Sequence, residues 1–69
     1  MVQLKGHIER ITFSNEEKAF FVCKLKVKNV NSLVTIVGNM VNPTPGEVVE
    51  LQGKWIIHPK FGHQLQVIE

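Results

Sequence analysis

Lys24, Lys26 and Lys28 occupy alternate positions, with Phe20 and Val22 in the same phase just before them. In an extended chain, residues two apart share a face. The lysines would then form a stripe of cations beside an aromatic ring. Such a stripe can follow the phosphates of a single strand while the ring offers a surface on which a base stacks. The same pattern also serves a solvated strand face, where lysines discourage edge-to-edge pairing. The residues alone leave both readings open.

A second candidate lies near the other end of the chain. His58-Pro59-Lys60-Phe61-Gly62-His63-Gln64 places a cation and a ring at the tip of a Pro/Gly turn, with Lys54 on the strand before it. Phe20, Lys24, Lys26, Lys28, Lys54, Lys60 and Phe61 are therefore the predicted nucleic-acid-binding set, the tip forming the second wall of one groove. The alternative is a structural hairpin with Phe61 folded back over the end of the domain.

Other chemistry finds little support. His7, His58, His63 and Cys23 show no Cys-x-x-Cys or His-x-x-x-His spacing, so no metal site is expected. Cys23 falls on an inward phase, where a lone cysteine acts as a small hydrophobe rather than a nucleophile. Glu16 and Glu17 read as a solvated turn. No Gly-x-x-x-x-Gly-Lys-Ser/Thr phosphate loop occurs, since Gly53-Lys54 is followed by Trp55 and Val48 stands five positions before Gly53. Neither ATP binding nor hydrolysis is expected of these residues. An independent small enzyme is the remotest reading.

The elements that must position these residues are strands. Val2, Leu4, Gly6 and Ile8 alternate with polar neighbours, then Ile11 and Phe13 continue on the opposite phase. That slip predicts a bulge near Glu9-Arg10 and an inward Phe13. Residues 14–19 read as a turn or a single helical turn. From Phe20 to Lys28, Phe21, Cys23, Leu25 and Val27 form the inner face. Asn29 to Ser32 signal a turn, and the near-continuous apolar run Leu33 to Val37 a strand covered on both faces or of uncertain facing. Pro43 and Pro45 forbid a long helix between the third and fourth strands, and Pro45-Gly46 predicts a tight turn. Val49, Leu51, Gly53, Trp55 and Ile57 share one phase of the fourth strand, which puts Trp55 in the core. Leu65 and Val67 mark a fifth strand.

Five short strands need closure to bury their edges. The prediction is one all-β domain over residues 1–69, a five-stranded Greek-key barrel of OB-fold type with little or no helix; an SH3-like barrel is the rival. A long, bulged first strand suits a barrel that must bend around its own core. At 69 residues and 43% hydrophobic content, one small core is possible and a buried cofactor cleft is not expected. Net charge is +2, which permits nucleic-acid contact without demanding it. Arg10 is the only guanidinium, so bidentate guanine reading is scarce. One cysteine excludes an internal disulfide and suggests a reducing compartment. With no apolar run long enough to span a membrane, a cytoplasmic protein with no membrane partner is expected.

Ile8-Glu9-Arg10-Ile11-Thr12-Phe13, Asn15-Glu16-Glu17, Val34-Thr35-Ile36-Val37-Gly38, Pro45-Gly46-Glu47, Gly53-Lys54-Trp55 and the His58-to-Gln64 turn, in this order, resemble the N-terminal OB-type domain of RecD-like (RecD/TraA family) ATP-dependent DNA helicases, relatives of the exodeoxyribonuclease V alpha subunit. The resemblance covers nearly the whole chain. One departure is Ala19-Phe20, where the family commonly has Gly-Phe. The resemblance implies an N-terminal fragment of a larger helicase acting in DNA repair and recombination. Its ATP and Mg²⁺ would belong to motor domains outside these residues, and those domains would be a partner within the same chain. The expected function is that of a noncatalytic accessory module making weak, sequence-neutral contact with single-stranded DNA. The alternative is docking to the motor or to a partner protein through the apolar edge near Val48, Ile56 and Ile68.

Overall fold

The computed structural model describes residues 1–68. Five strands form the fold: β1 (Val2–Asn15), β2 (Phe20–Val27), β3 (Val34–Asn39), β4 (Val48–His58) and β5 (Gly62–Val67). They close into a barrel in the order β1-β2-β3-β5-β4. All neighbours are antiparallel except β3 and β5, which run parallel through Ile36↔Leu65 and Val37↔Gln66. Closure rests on β1. Its first half pairs with β4 and its second half with β2, so one strand serves both sides of the cylinder.

A strand can do this only if it bends. β1 bends at two register shifts, one between Ile8 and Arg10 and one between Ile11 and Phe13. The first is the predicted bulge. The second was not anticipated, and it reverses the facing of the residues after it. Phe13 therefore pairs with Val22 on the outer surface and is 54% exposed, correcting the expectation that it points inward.

The core gathers Ile8, Phe21, Cys23, Leu25, Ile36, Leu51 and Leu65. β2 follows the predicted alternation, with Phe21, Cys23 and Leu25 inside. In β3, Ile36 faces the core across from Cys23, while Val37 is buried on the outer side between Val22 and Gln66. Gly53 lies where β4 meets both β1 and β5; any side chain there would strike the Gln66 carbonyl.

Trp55 is the second correction. It keeps the phase of Leu51 and Gly53 but lies beyond the start of β1, whose Val2 pairs with Gly53. From Trp55 onward β4 is paired only with β5, so the inward phase has no β1 neighbour to cover it. Trp55 is 45% exposed, and Ile57 is exposed further out.

The connections follow the turn chemistry. Glu16–Lys18 make one 3-10 turn, capped by Asn15, whose Oδ1 accepts from the Lys18 amide at 3.3 Å. No helix fills residues 40–47. Instead the Glu47 amide donates to the Thr44 carbonyl across Pro45-Gly46, with Gly46 at φ 90. Pro at the first central position and a positive-φ Gly at the second are the requirements of a type II turn.

Candidate nucleic-acid interface

The outer surface of the barrel is hollowed into a groove of about 750 Å³. Its floor is a band of outward residues carried across neighbouring strands. Val22 pairs with Val37 and Val37 with Gln66, while Lys24 pairs with Thr35 and Gln64 with Ile56. Thr12 and Phe13 from β1 and Phe20 from β2 line the groove, as do His58 and Phe61 from the β4–β5 hairpin.

Phe13 and Phe20 meet edge to face, with ring centroids 6.3 Å apart at 65°. That contact is possible because the second bulge brings Phe13 outward. Phe61 is 67% exposed and belongs to the groove, which sets aside the alternative that it folds back over the barrel end. The rings of His58 and Phe61 lie 4.8 Å apart, and the Lys60 Nζ sits 5.6 Å from the Phe61 centroid, within cation–π range.

Lys24 is the lysine that lines the groove. Its Nζ donates to Thr35 Oγ1 at 2.6 Å, which fixes the ammonium over the floor. An ammonium has three donors, so two remain for a ligand. Gln64 is buried and lines the same floor.

The predicted stripe thus divides. Phe20, Lys24 and Phe61 are brought together in the groove. Lys26 instead donates from Nζ to the Val30 carbonyl at 2.7 Å and ties down the β2–β3 turn. Lys28 lies in that turn, past the end of β2. Lys54 is exposed on the outer phase of β4 opposite Gln66, and Lys60 flanks the groove at the hairpin tip; neither lines it. Phe13, Thr35, His58, Gln64 and Gln66 were missed. The signal for Phe13 would have been a second bulge, which alternation alone does not reveal. Thr35 and Gln64 were readable as outward-phase polar residues on the strands of the binding face.

A second hollow of about 450 Å³ opens at the barrel end beneath residues 40–47, among Met40, Val41, Pro43, Val49 and Leu51. Glu47 and Glu50 border it, and their carboxylates would repel phosphates. Among the described residues, no three His, Cys, Asp or Glu side chains gather as metal ligands would.

A groove across the outer face of a closed five-stranded barrel, flanked by the β4–β5 loop, is the ligand-binding arrangement of OB-folds. Residues 1–69 match the family model described as "ATP-dependent DNA helicase YrrC, OB-fold domain". The chain belongs to this family. No curated protein and no solved structure matches it. The YrrC-type OB domain is a noncatalytic unit of a DNA helicase family.

Proposed function

We propose that this YrrC-type OB domain is an accessory module that holds single-stranded DNA weakly and without regard to sequence, within a RecD-like cytoplasmic helicase whose motor domains use ATP and Mg²⁺. The observation that carries this reading is the outer groove, with the Phe13–Phe20 pair and Phe61 as stacking surfaces and Lys24 fixed on the floor. Stacking tolerates any base because every base presents a π-face. Phosphates need a cation, and Lys24 supplies one there. Thr35, Gln64 and Gln66 add neutral donors and acceptors without imposing a bidentate code.

The test is a titration of fluorescent oligo-dT at low salt. Saturable binding that weakens as salt rises, and that falls about tenfold or more in Phe13→Ala, supports the groove, since one base–ring stack is worth roughly 1–3 kcal/mol. Absence of binding at low salt would favour docking to a protein. That reading draws on the apolar edge near Val48, Ile56 and Ile68, of which Val48 and Ile68 are exposed outside the groove lining while Ile56 lines the groove.

A further inference from the structure

The backbone pair His58↔Gly62 closes the β4–β5 hairpin, and a side chain holds the amides at its tip. His58 Nδ1 accepts from the amide of Lys60 at 3.0 Å and from the amide of Phe61 at 3.2 Å. Asn and Asp oxygens often play this part in turns, accepting amides two and three positions on. Here an imidazole does so. Two donors converging on Nδ1 assign its tautomer: Nδ1 bears the lone pair and Nε2 the proton. The same ring packs 4.8 Å from the Phe61 ring at an interplanar angle of 35°. One residue therefore fixes both the backbone that carries Phe61 and the ring itself.

We propose that His58 is a positioning residue for nucleic-acid binding, whose neutral Nδ1 holds Phe61 in the groove and whose protonation releases it. The proposal rests on the reading of the groove as a single-strand site. Protonation places a hydrogen on Nδ1, where two amide donors already point. Both bonds are lost together and the turn is left with a cation facing two N–H groups. The ionisable groups around His58 are Lys24, across the groove on β2, and Lys60 at the tip. His63 on β5 pairs with Ile57, one position away from the His58↔Gly62 pair, and so takes the opposite phase. Among the described residues, no carboxylate lines the groove to hold an imidazolium in place.

Oligo-dT affinity and the amide spectrum are measured together from about pH 5 to pH 8. Without DNA, the Lys60 and Phe61 amide resonances are expected to move in step with the His58 ring titration. With DNA at the alkaline end, His58→Ala is expected to lose about as much affinity as Phe61→Ala, roughly tenfold, with no further loss in the double variant. His58→Asn keeps an acceptor that does not titrate in this range. It is expected to restore most of the affinity and to abolish the acid-side weakening. A bare electrostatic role predicts the reverse, since an imidazolium would attract phosphates and tighten binding in acid. That result, additive losses, or full affinity in His58→Ala would overturn the proposal alone. No binding by the unaltered domain would overturn the single-strand reading and this role with it, while the amide titration would show separately whether the histidine clamp exists.

Discussion

At the scale of single residues, alternation shows which side chains share a face but not how each is occupied. Lys24, Lys26 and Lys28 look equivalent in the sequence. In the fold, Lys24 is tethered to Thr35 over the groove, Lys26 is tethered to the Val30 carbonyl, and Lys28 has left the strand. The difference is measurable. Lys24→Ala is expected to weaken oligo-dT binding and to flatten the dependence of log affinity on log salt by about 0.7, the increment for one phosphate contact on a single strand. Lys26→Ala is expected to alter that slope by less than half as much. Its main effect is a loss of about 0.5–1 kcal/mol of stability from the β2–β3 turn, as befits one exposed hydrogen bond. Urea melts and salt titrations of both variants separate the two roles. Equal slopes would mean that the lysines act as a diffuse patch rather than through one fixed contact.

At the scale of elements, the strands and their order of facing were legible wherever a strand stays paired on both sides and keeps its register. β2 satisfies both conditions and followed its pattern. β1 and β4 each break one. A second bulge in β1 turns Phe13 outward, and periodicity detects a bulge only when it displaces hydrophobic residues to a clashing phase. Phe13 is equally apolar on either face, so nothing in the pattern objected. β4 outruns β1, so Trp55 keeps an inward phase with no β1 strand to cover it. One miss comes from a register shift between β1 and β2 and the other from the end of the β1–β4 pairing, both properties of pairing between distant segments and not of any local window. The β1–β2 connection shows the opposite case, where a local departure has a readable cost. Ala19 sits at φ 53, ψ 34, the left-handed region, while its carbonyl accepts the Met40 amide at 3.0 Å. That conformation costs a residue with a Cβ about 1–2 kcal/mol, and glycine escapes it at a smaller entropic loss. Ala19→Gly is therefore expected to stabilise the domain by about 0.5–1 kcal/mol in chemical denaturation. A destabilisation would show that Ala19 relaxes out of this geometry in solution.

At the scale of the whole molecule, a chain of 69 residues can afford one core, and Cys23 lies at its centre with no exposed surface. Domains this small bury a modest share of their unfolded surface and unfold as a unit, so nothing short of global opening should expose that thiol. Burial pushes the Cys23 thiol above its ordinary value, because the thiolate would lose its hydration inside the barrel. The linkage follows in sign. Below the unfolded thiol's pKa, about 8.5, both states hold the proton and Cys23 adds no pH dependence. Above it, the unfolded chain releases a proton that the folded chain retains, so stability falls as pH rises towards the folded value. The slope from this group is at most about 1.4 kcal/mol per pH unit. Between about pH 8.5 and pH 10, before lysines titrate fully, the native domain is expected to lose stability while Cys23→Ala holds nearly level from a lower starting point. Thiol labelling under native conditions should track the same opening, slowing as stabilising salt is added and quickening in Gly53→Ala, whose new methyl meets the Gln66 carbonyl at the seam of the barrel. Rapid labelling of the unaltered domain, or an alkaline fall of equal size without the thiol, would mean that the cylinder opens locally and that Cys23 is not sealed by closure of the five strands.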